Sequence, residues 1–288
     1  MKKIIFIPTW KCNLKCAYCD YSTKEIENSN NYMLKAFDQD IEVGTELTWM
    51  EWVEVFSNMP PVLLEMTGGE PTKYKDLPKL LKHMGSGSRW AITSNTLLTE
   101  QIEQMPAENC LAWTASYHYH SDEKFIENLR LLVKKNINVR VTIVISPENY
   151  QVGFEKVKMF VGMGIGVNIH PILKQDFDWT ADPAHKEIWK GMEAMEEMAP
   201  GFVVMIRDIS DRCKPQHYPI CDAGTDKYSM LMPDGMVYRC YSQILTGTNE
   251  GHVIDYKARK NPEACSMDCM FPCDRQVARA TETQVKLL

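Results

Sequence analysis

From residue 1 to about residue 172, short runs of apolar, β-branched and aromatic residues alternate with stretches of helical spacing, and few architectures accommodate that alternation. The runs are Ile4–Ile7, Val62–Met66, Trp90–Thr93, Leu111–Ala115, Val139–Ile145 and Gly166–His170. They show no sustained polar alternation, which suits the buried strands of a parallel sheet. Between them, Thr48 followed by Glu51 reads as a capping box that opens a helix through about Met59, stopped by Pro60-Pro61. Ser121 can cap a helix whose face is Phe125, Leu129, Leu132 and Val133, and a further helix is expected from Phe154 to Gly162. Six βα units in series imply parallel strands joined by right-handed crossovers. An incomplete β/α barrel and an open sheet both satisfy this, and in both a ligand sits at the carboxyl ends of the strands.

After about residue 172 the alternation stops. Asp182-Pro183 can start a helix that runs to Met198, with proline in the first turn, where its missing N–H has no intrahelical role. Tyr228–Met232, the turn Pro233-Asp234-Gly235 and Met236–Arg239 then form a β-hairpin pattern, with glycine available for a residue at φ > 0. The expected fold is α/β: a partial (β/α)6 TIM-like barrel over residues 1–200, followed by a small C-terminal β-hairpin and helix domain over 201–288. Trp49, Trp52 and Trp189 fall on expected helices and read as core.

Apolar residues make up 44% of the 288 positions and charged residues 24%, so material for such a core is ample. A formal charge of −6 gives no global attraction to phosphate backbones, which lowers a nucleic-acid reading while leaving room for a local groove. Met1-Lys2-Lys3 followed by Ile4-Ile5-Phe6-Ile7 has the look of a signal peptide, but Pro8 breaks the apolar run and no small-residue cleavage site follows. No stretch approaches the roughly 18 apolar residues of a membrane span. A cytoplasmic location with no membrane partner is expected. With the first strand starting at Ile4, no separate leader-binding domain is expected ahead of the barrel, which weakens a peptide-modification role.

In a reducing compartment, clustered cysteines point to metal ligands or catalytic thiols rather than disulfides. Of the ten cysteines, three lie between positions 12 and 19, six lie between 213 and 273, and Cys110 stands alone between the groups. The first group follows the first strand as Cys12-Asn13-Leu14-Lys15-Cys16-Ala17-Tyr18-Cys19. Thiolates are soft ligands that suit iron–sulfur clusters, and three of them leave one iron of a four-iron cluster open to another molecule. A structural zinc site normally has four ligands, and no nearby histidine completes this set. Cys16 and Cys19 alone fit a redox thiol pair, but the third cysteine and the position in a loop after strand one favour the open cluster.

Cys-x3-Cys-x2-Cys with an aromatic residue before the last cysteine resembles the signature of the radical S-adenosylmethionine (SAM) superfamily. Gly68-Gly69-Glu70-Pro71, directly after the second expected strand, resembles that family's second motif, in the same order and also at a strand end. The resemblance implies that Cys12, Cys16 and Cys19 ligate a [4Fe-4S] cluster whose fourth iron takes the methionine amine and carboxylate of SAM. Tyr18 would lie near the adenine, and Gly68, Gly69 and Glu70 would receive the methionine amine. Ser94 and Asn95 resemble the polar pair that contacts ribose or carboxylate, with Ser116 in the same role; ordinary turn chemistry explains these three nearly as well. One electron, from a donor such as flavodoxin or ferredoxin, would then split SAM to a 5′-deoxyadenosyl radical that takes a hydrogen atom from an unactivated C–H bond.

The second group surrounds the hairpin. Cys221-Asp222-Ala223-Gly224, Cys240, and then Cys265, Cys269 and Cys273 resemble the C-terminal extension called Twitch, a shortened SPASM domain. The resemblance implies one auxiliary [4Fe-4S] cluster held by Cys221, Cys240 and two of Cys265, Cys269 and Cys273. Zinc is a chemical alternative for this tail. Cys213 is either a hydrogen donor to a substrate radical or inert filling, and Cys110 reads as filling. In Ser116-Tyr117-His118-Tyr119-His120, at the end of the fourth strand, His118 could hold substrate or move protons, with a plain polar loop as the bland alternative; His170 at the end of the sixth is similar.

Three functions follow from these expectations. The first is a radical SAM enzyme whose auxiliary cluster accepts a substrate electron in a net oxidation. The second is a redox-neutral isomerase or epimerase of an amino-acid or modified-nucleoside substrate. The third is a non-catalytic metal-binding module.

Overall fold

The protein is represented by a computed structural model that describes residues 1–14, 16, 46–119, 122–172, 182–206, 216–266 and 268–269. Seven strands carry the barrel part: β1 (Lys2–Phe6), β2 (Val62–Met66), β3 (Arg89–Ser94), β4 (Cys110–Tyr117), β5 (Val139–Ile145), β6 (Gly166–Pro171) and β7 (Val203–Met205). The helices between them are α1 (Trp49–Ser57), α2 (Leu77–His83), α3 (Thr99–Gln104), α4 (Asp122–Lys134), α5 (Tyr150–Gly162) and α6 (Pro183–Met198). Four short strands and one helix follow the barrel around a hairpin: β8 (Gln216–His217), β9 (Ile220–Cys221), the hairpin β10 (Tyr228–Leu231) and β11 (Val237–Tyr238), α7 (Tyr241–Leu245), β12 (Glu263–Ala264) and β13 (Asp268–Cys269).

Among the described residues, nine strands form one sheet in the order β11-β10-β1-β2-β3-β4-β5-β6-β7. Every pair from β10 to β7 is parallel, and only the hairpin is antiparallel. The expected α/β architecture is present. The alternation runs one unit further than expected, because α6 leads into β7, whose three residues are too few to show a period in the sequence. The hairpin also joins the barrel sheet directly, with Lys3 opposite Tyr228 and Phe6 opposite Leu231. Two small two-stranded sheets, β12 with β9 and β13 with β8, complete the C-terminal part.

The helices seal one face of the sheet. Phe6 packs edge-on against Trp52 and Phe56 of α1, with ring centroids 4.8 and 5.6 Å away. Trp90, Trp113, Phe125 and Phe160 continue the same buried layer. The helix stripe on α4 is as expected at Phe125, Leu129 and Leu132, but Val133 is 54% exposed, because it lies one step around the helix from Leu132. Successive strand residues point to opposite faces, and the second face is only half-covered. It carries Thr93 opposite Thr114, and a row of Ser116, Thr142 and Asn168. Across β3 to β6 the expected continuous apolar strands are therefore sealed on one side and largely polar on the other, while on β1 the second face buries Ile5 and Ile7. Arg140 ties the lower part of the polar side together, donating from Nε to Asn168 Oδ1 at 3.1 Å and from its guanidinium to the Phe202 carbonyl at 3.1 Å.

Local signals set several boundaries. Thr48 and Glu51 form the reciprocal capping box at the start of α1: the Glu51 N–H donates to Thr48 Oγ1, and the Thr48 N–H donates to Glu51 Oε2. Asp182 caps α6 through the Ala184 N–H at 2.8 Å. Helix α5 begins at Tyr150, four residues before the expected Phe154. Ser121, the expected cap of α4, lies outside the described residues, as does His120.

Trp52 is fully buried, yet its indole N–H has no hydrogen-bond partner among the described residues. Trp52→Ala is therefore expected to lower the unfolding free energy by about 3–5 kcal/mol. Trp52→Phe should cost clearly less, because it also removes an unsatisfied donor. Urea melts of the three proteins check this order, and equal losses would contradict the packing described.

Candidate functional site

The loop after β1 carries the first cysteines and rests on the loop after β2. Ile7 still pairs with the sheet, its N–H donating to the Leu231 carbonyl at 2.9 Å. Thr9 then turns inward, fully buried, and donates from its hydroxyl to Glu46 at 2.5 Å while accepting from the Lys11 N–H at 3.0 Å. Lys11 also pairs with Glu46 at 3.0 Å. From the facing loop, the Gly69 N–H donates to the Thr9 carbonyl at 3.2 Å and the Glu70 N–H to the Lys11 carbonyl at 2.8 Å. The two loops touch so closely that a Cβ on Gly69 would lie 2.4 Å from the Trp10 carbonyl oxygen and 2.5 Å from that of Lys11. Gly68, at φ +123°, lies in backbone space that side chains rarely adopt, and a Cβ there would meet Ile7 at 2.5 Å. In the loop after β1, Cys12 is exposed and Cys16 is buried. Tyr18 and Cys19 lie outside the described residues.

Glu70 is 2% exposed, and both of its carboxylate oxygens are engaged. Oε1 accepts from the Thr72 N–H at 3.0 Å, the Thr72 hydroxyl at 2.6 Å and the Ser94 hydroxyl at 2.8 Å. Oε2 accepts from the Asn95 N–H at 2.6 Å. Burial raises the carboxyl above its ordinary range, and these donors oppose the shift without cancelling it. Ser94 additionally accepts from the Thr96 N–H, and Asn95 Oδ1 from the Leu97 N–H. In the structure, then, Ser94 and Asn95 make the turn after β3, and Asn95 reaches further. Its Nδ2 donates to Oδ1 of Asn13, inside the cysteine motif, at 2.7 Å. Sequence reasoning missed Asn13, Thr9 and Glu46; only the position of Asn13 between two cysteines could have marked it.

The second centre assembles from distant segments. Cys221 ends β9, Cys240 is the residue before α7, Cys265 follows β12 and Cys269 ends β13. Pairing of β12 with β9 sets Glu263 opposite Cys221, and the Cys265 N–H donates to the Pro219 carbonyl at 3.0 Å. All four cysteines line one cavity, together with Ala223, Arg239, Ser242 and Glu263. Among the described residues no three His, Cys, Asp or Glu side chains converge on the position of a single metal ion. Four thiols around one shared cavity are a soft donor set, which an iron–sulfur cluster or a zinc ion could take. Of the three late cysteines, the cavity includes Cys265 and Cys269, while Cys273 and Cys213 lie outside the described residues.

Ser116, His118 and His170 sit toward the carboxyl ends of their strands, and Cys110 at the amino end of β4. Ser116 faces the half-covered side of β4, level with Thr142. His118 follows β4 and is half-buried, directly before Tyr119, which adopts a positive φ of 61°. His170, near the end of β6, has Nδ1 3.2 Å from the Pro171 carbonyl. Burial pushes the Cys110 thiol up to about 12, which keeps it protonated and fits inert filling.

No family profile matches the chain. Over 98 residues it is 34% identical to the PqqA peptide cyclase of Bradyrhizobium diazoefficiens, covering 32% of this chain and 22% of that protein. Over 99 residues it is 33% identical to the Fe-coproporphyrin III synthase of Methanosarcina barkeri, covering 34% of this chain and 22% of that protein. The chain thus matches about a fifth of the length of these curated relatives. In fold it resembles the solved structure of native anSMEcpe with bound AdoMet and Kp18Cys peptide, at 15% identity and a TM-score of 0.59, covering 90% of this chain and 80% of that one. The complex of anSMEcpe with AdoMet and the Cp18Cys peptide gives a TM-score of 0.58 at 14% identity, over 98% of this chain and 83% of that one. No helix among the described residues is long and apolar enough to cross a membrane.

The contact between the two loops generates a direct expectation. Gly69→Ala must displace the backbone at Trp10 and Lys11 and should leave anaerobically reconstituted protein with markedly less iron and acid-labile sulfide. Gly85→Ala, where an added Cβ meets nothing within 4 Å, should match the wild type. Equal iron in all three proteins would show that the cysteine loop does not depend on this contact.

Proposed function

We propose that the chain is a radical SAM enzyme, which binds a [4Fe-4S] cluster through Cys12, Cys16 and Cys19 and reductively cleaves S-adenosylmethionine there. The observation that carries this reading is the paired N–H contact of Gly69 and Glu70 with the Thr9 and Lys11 carbonyls, which holds the cysteine loop against the Gly68-Gly69-Glu70-Pro71 loop. When bound, the cluster and SAM would supply a radical able to take a hydrogen atom from an unactivated C–H bond. The chain's own residues do the positioning. Thr9, Glu46 and Asn13 hold the cysteine loop on the strand ends. The carbonyls at Gly68, Gly69 and Glu70 would receive the methionine amine, with Tyr18 near the adenine and Ser94, Asn95 and Ser116 toward ribose or carboxylate. The Glu70 side chain supports this from beneath, since its oxygens are engaged with Thr72, Ser94 and Asn95.

Residues 1–200 would form the catalytic core and 201–288 the auxiliary part, although Val203–Met205 and Tyr228–Leu231 hydrogen-bond into the core sheet. Cys221, Cys240, Cys265 and Cys269 would hold the auxiliary [4Fe-4S] cluster, and their shared cavity is the observation that supports it. That cluster would accept an electron from the substrate, giving a net oxidation. The substrate is a peptide or a small molecule, held against the polar row Ser116, Thr142 and Asn168 with His118 beside it; in the redox-neutral alternative Cys213 would return a hydrogen atom to the substrate radical. A peptide is favoured by the peptide named in the anSMEcpe complex and by the peptide cyclase relative. Flavodoxin or ferredoxin would deliver the priming electron.

Anaerobic incubation of reconstituted protein with dithionite and SAM tests the proposal through 5′-deoxyadenosine formation. Cys16→Ala should abolish it. Cys240→Ala should spare slow cleavage and impair product formation. No 5′-deoxyadenosine from the wild type would favour a metal-binding module, and an isomeric product in place of an oxidised one would favour the redox-neutral isomerase.

A further inference from the structure

A chain of polar side chains runs behind the second cysteine cavity. The Arg239 N–H, adjacent to Cys240, donates to Gln243 Oε1 at 2.7 Å, and Gln243 Nε2 donates to Glu250 Oε1 at 2.7 Å. One terminal nitrogen of Arg259 reaches both oxygens of Glu250, at 2.8 and 3.1 Å, and the other reaches Glu263 at 2.9 Å. Glu263 stands opposite Cys221 on paired strands, two residues before Cys265, and forms part of the cavity wall. We propose that Arg259 is the positioning residue of this centre: it neutralises Glu263 at the cavity wall and, through Glu250 and Gln243, braces the turn carrying Cys240. This inference rests on the auxiliary-cluster reading above.

The two ends of the brace differ in strength. Gln243 is 4% exposed, and the Arg259 and Glu250 side chains are 23% and 16% exposed, so this end is sheltered and well defined. The Glu263 side chain is 54% exposed, so its pairing with Arg259 is screened and adds little to stability. Its consequence is electrostatic. A four-iron cluster held by thiolates is anionic and becomes more so on reduction, so a bare carboxylate in the wall disfavours the reduced state and a cation paired with that carboxylate restores it. The guanidinium suits this task because its separate nitrogens can each take one carboxylate, which a lysine ammonium cannot do in the same geometry.

The test uses the full chain with Cys12→Ala and Cys16→Ala, so that any iron–sulfur signal comes from the second centre. Iron content and an EPR-monitored redox titration are measured after anaerobic reconstitution. Adding Arg259→Met should lower the iron content and make the midpoint potential more negative. Adding Glu263→Gln as well should return the potential toward its starting value without restoring iron fully. If Arg259→Met retains too little cluster to titrate, Glu263→Gln alone is expected to raise the potential. Unchanged iron and potential in Arg259→Met, or an unchanged potential in Glu263→Gln, would overturn the role of Arg259. No cluster in the Cys12→Ala/Cys16→Ala protein itself would overturn the auxiliary-cluster reading, and the inference with it.

Discussion

The loop that presents Cys12 and the loop of Gly68-Gly69-Glu70 meet backbone to backbone, and the geometry of the site depends on that contact. Its two N–H···O bonds contribute on the order of 1 kcal/mol each, no more than ordinary hydrogen bonds. The steric condition is stricter. With Trp10 and Lys11 carbonyl oxygens 2.4 and 2.5 Å from where a Gly69 Cβ would stand, no side chain fits, and the loops can approach only if this residue is glycine. Beneath the contact, Glu70 gathers donors from three residues around a buried carboxylate. Leaving any one of those donors unsatisfied there would cost about 1–3 kcal/mol, which makes the arrangement all-or-none. Asn95 then extends it to Asn13, so the ends of three successive strands hold the cysteine loop.

The second centre is tied to the first through the sheet. Strand β1 is flanked by β2 on one side and β10 on the other, so the strand that launches the first cysteine loop also anchors the hairpin that leads to Cys240. Trp10, Tyr228, Met230 and Cys240 belong to one buried cluster on that flank, which packs the two regions against each other. Among the described residues, the elements that border the second cavity are all short. Its cysteines come from two-residue strands and turns, so its shape depends on side-chain networks such as that of Arg259 rather than on a long ladder of backbone bonds.

Legibility followed interaction range. The strands Val62–Met66 and Val139–Ile145 were readable to the residue, because burial of one whole face imposes a pattern along the strand. The capping box at Thr48 and the cap at Asp182 were equally clear, since each joins groups two or three residues apart. Strand β7 and helices α2 and α3 escaped notice because segments of three, seven and six residues complete no recognisable period. Val133 was misplaced because a helical stripe is narrow and Leu132 already fills it.

The sequence by itself determined which donors the chain carries and where: thiols at two places, a glycine pair at a strand end, and an alternation that commits the chain to parallel strands. Only the tertiary structure decided which groups meet. It brought Cys265 and Cys269 to the cavity of Cys221 and Cys240, turned the Glu70 carboxylate toward Ser94 and Asn95, and joined Asn95 to Asn13 across 82 positions. The physical reason is that ligand character resides in single side chains, whereas convergence depends on loop paths fixed by packing between segments far apart in the chain.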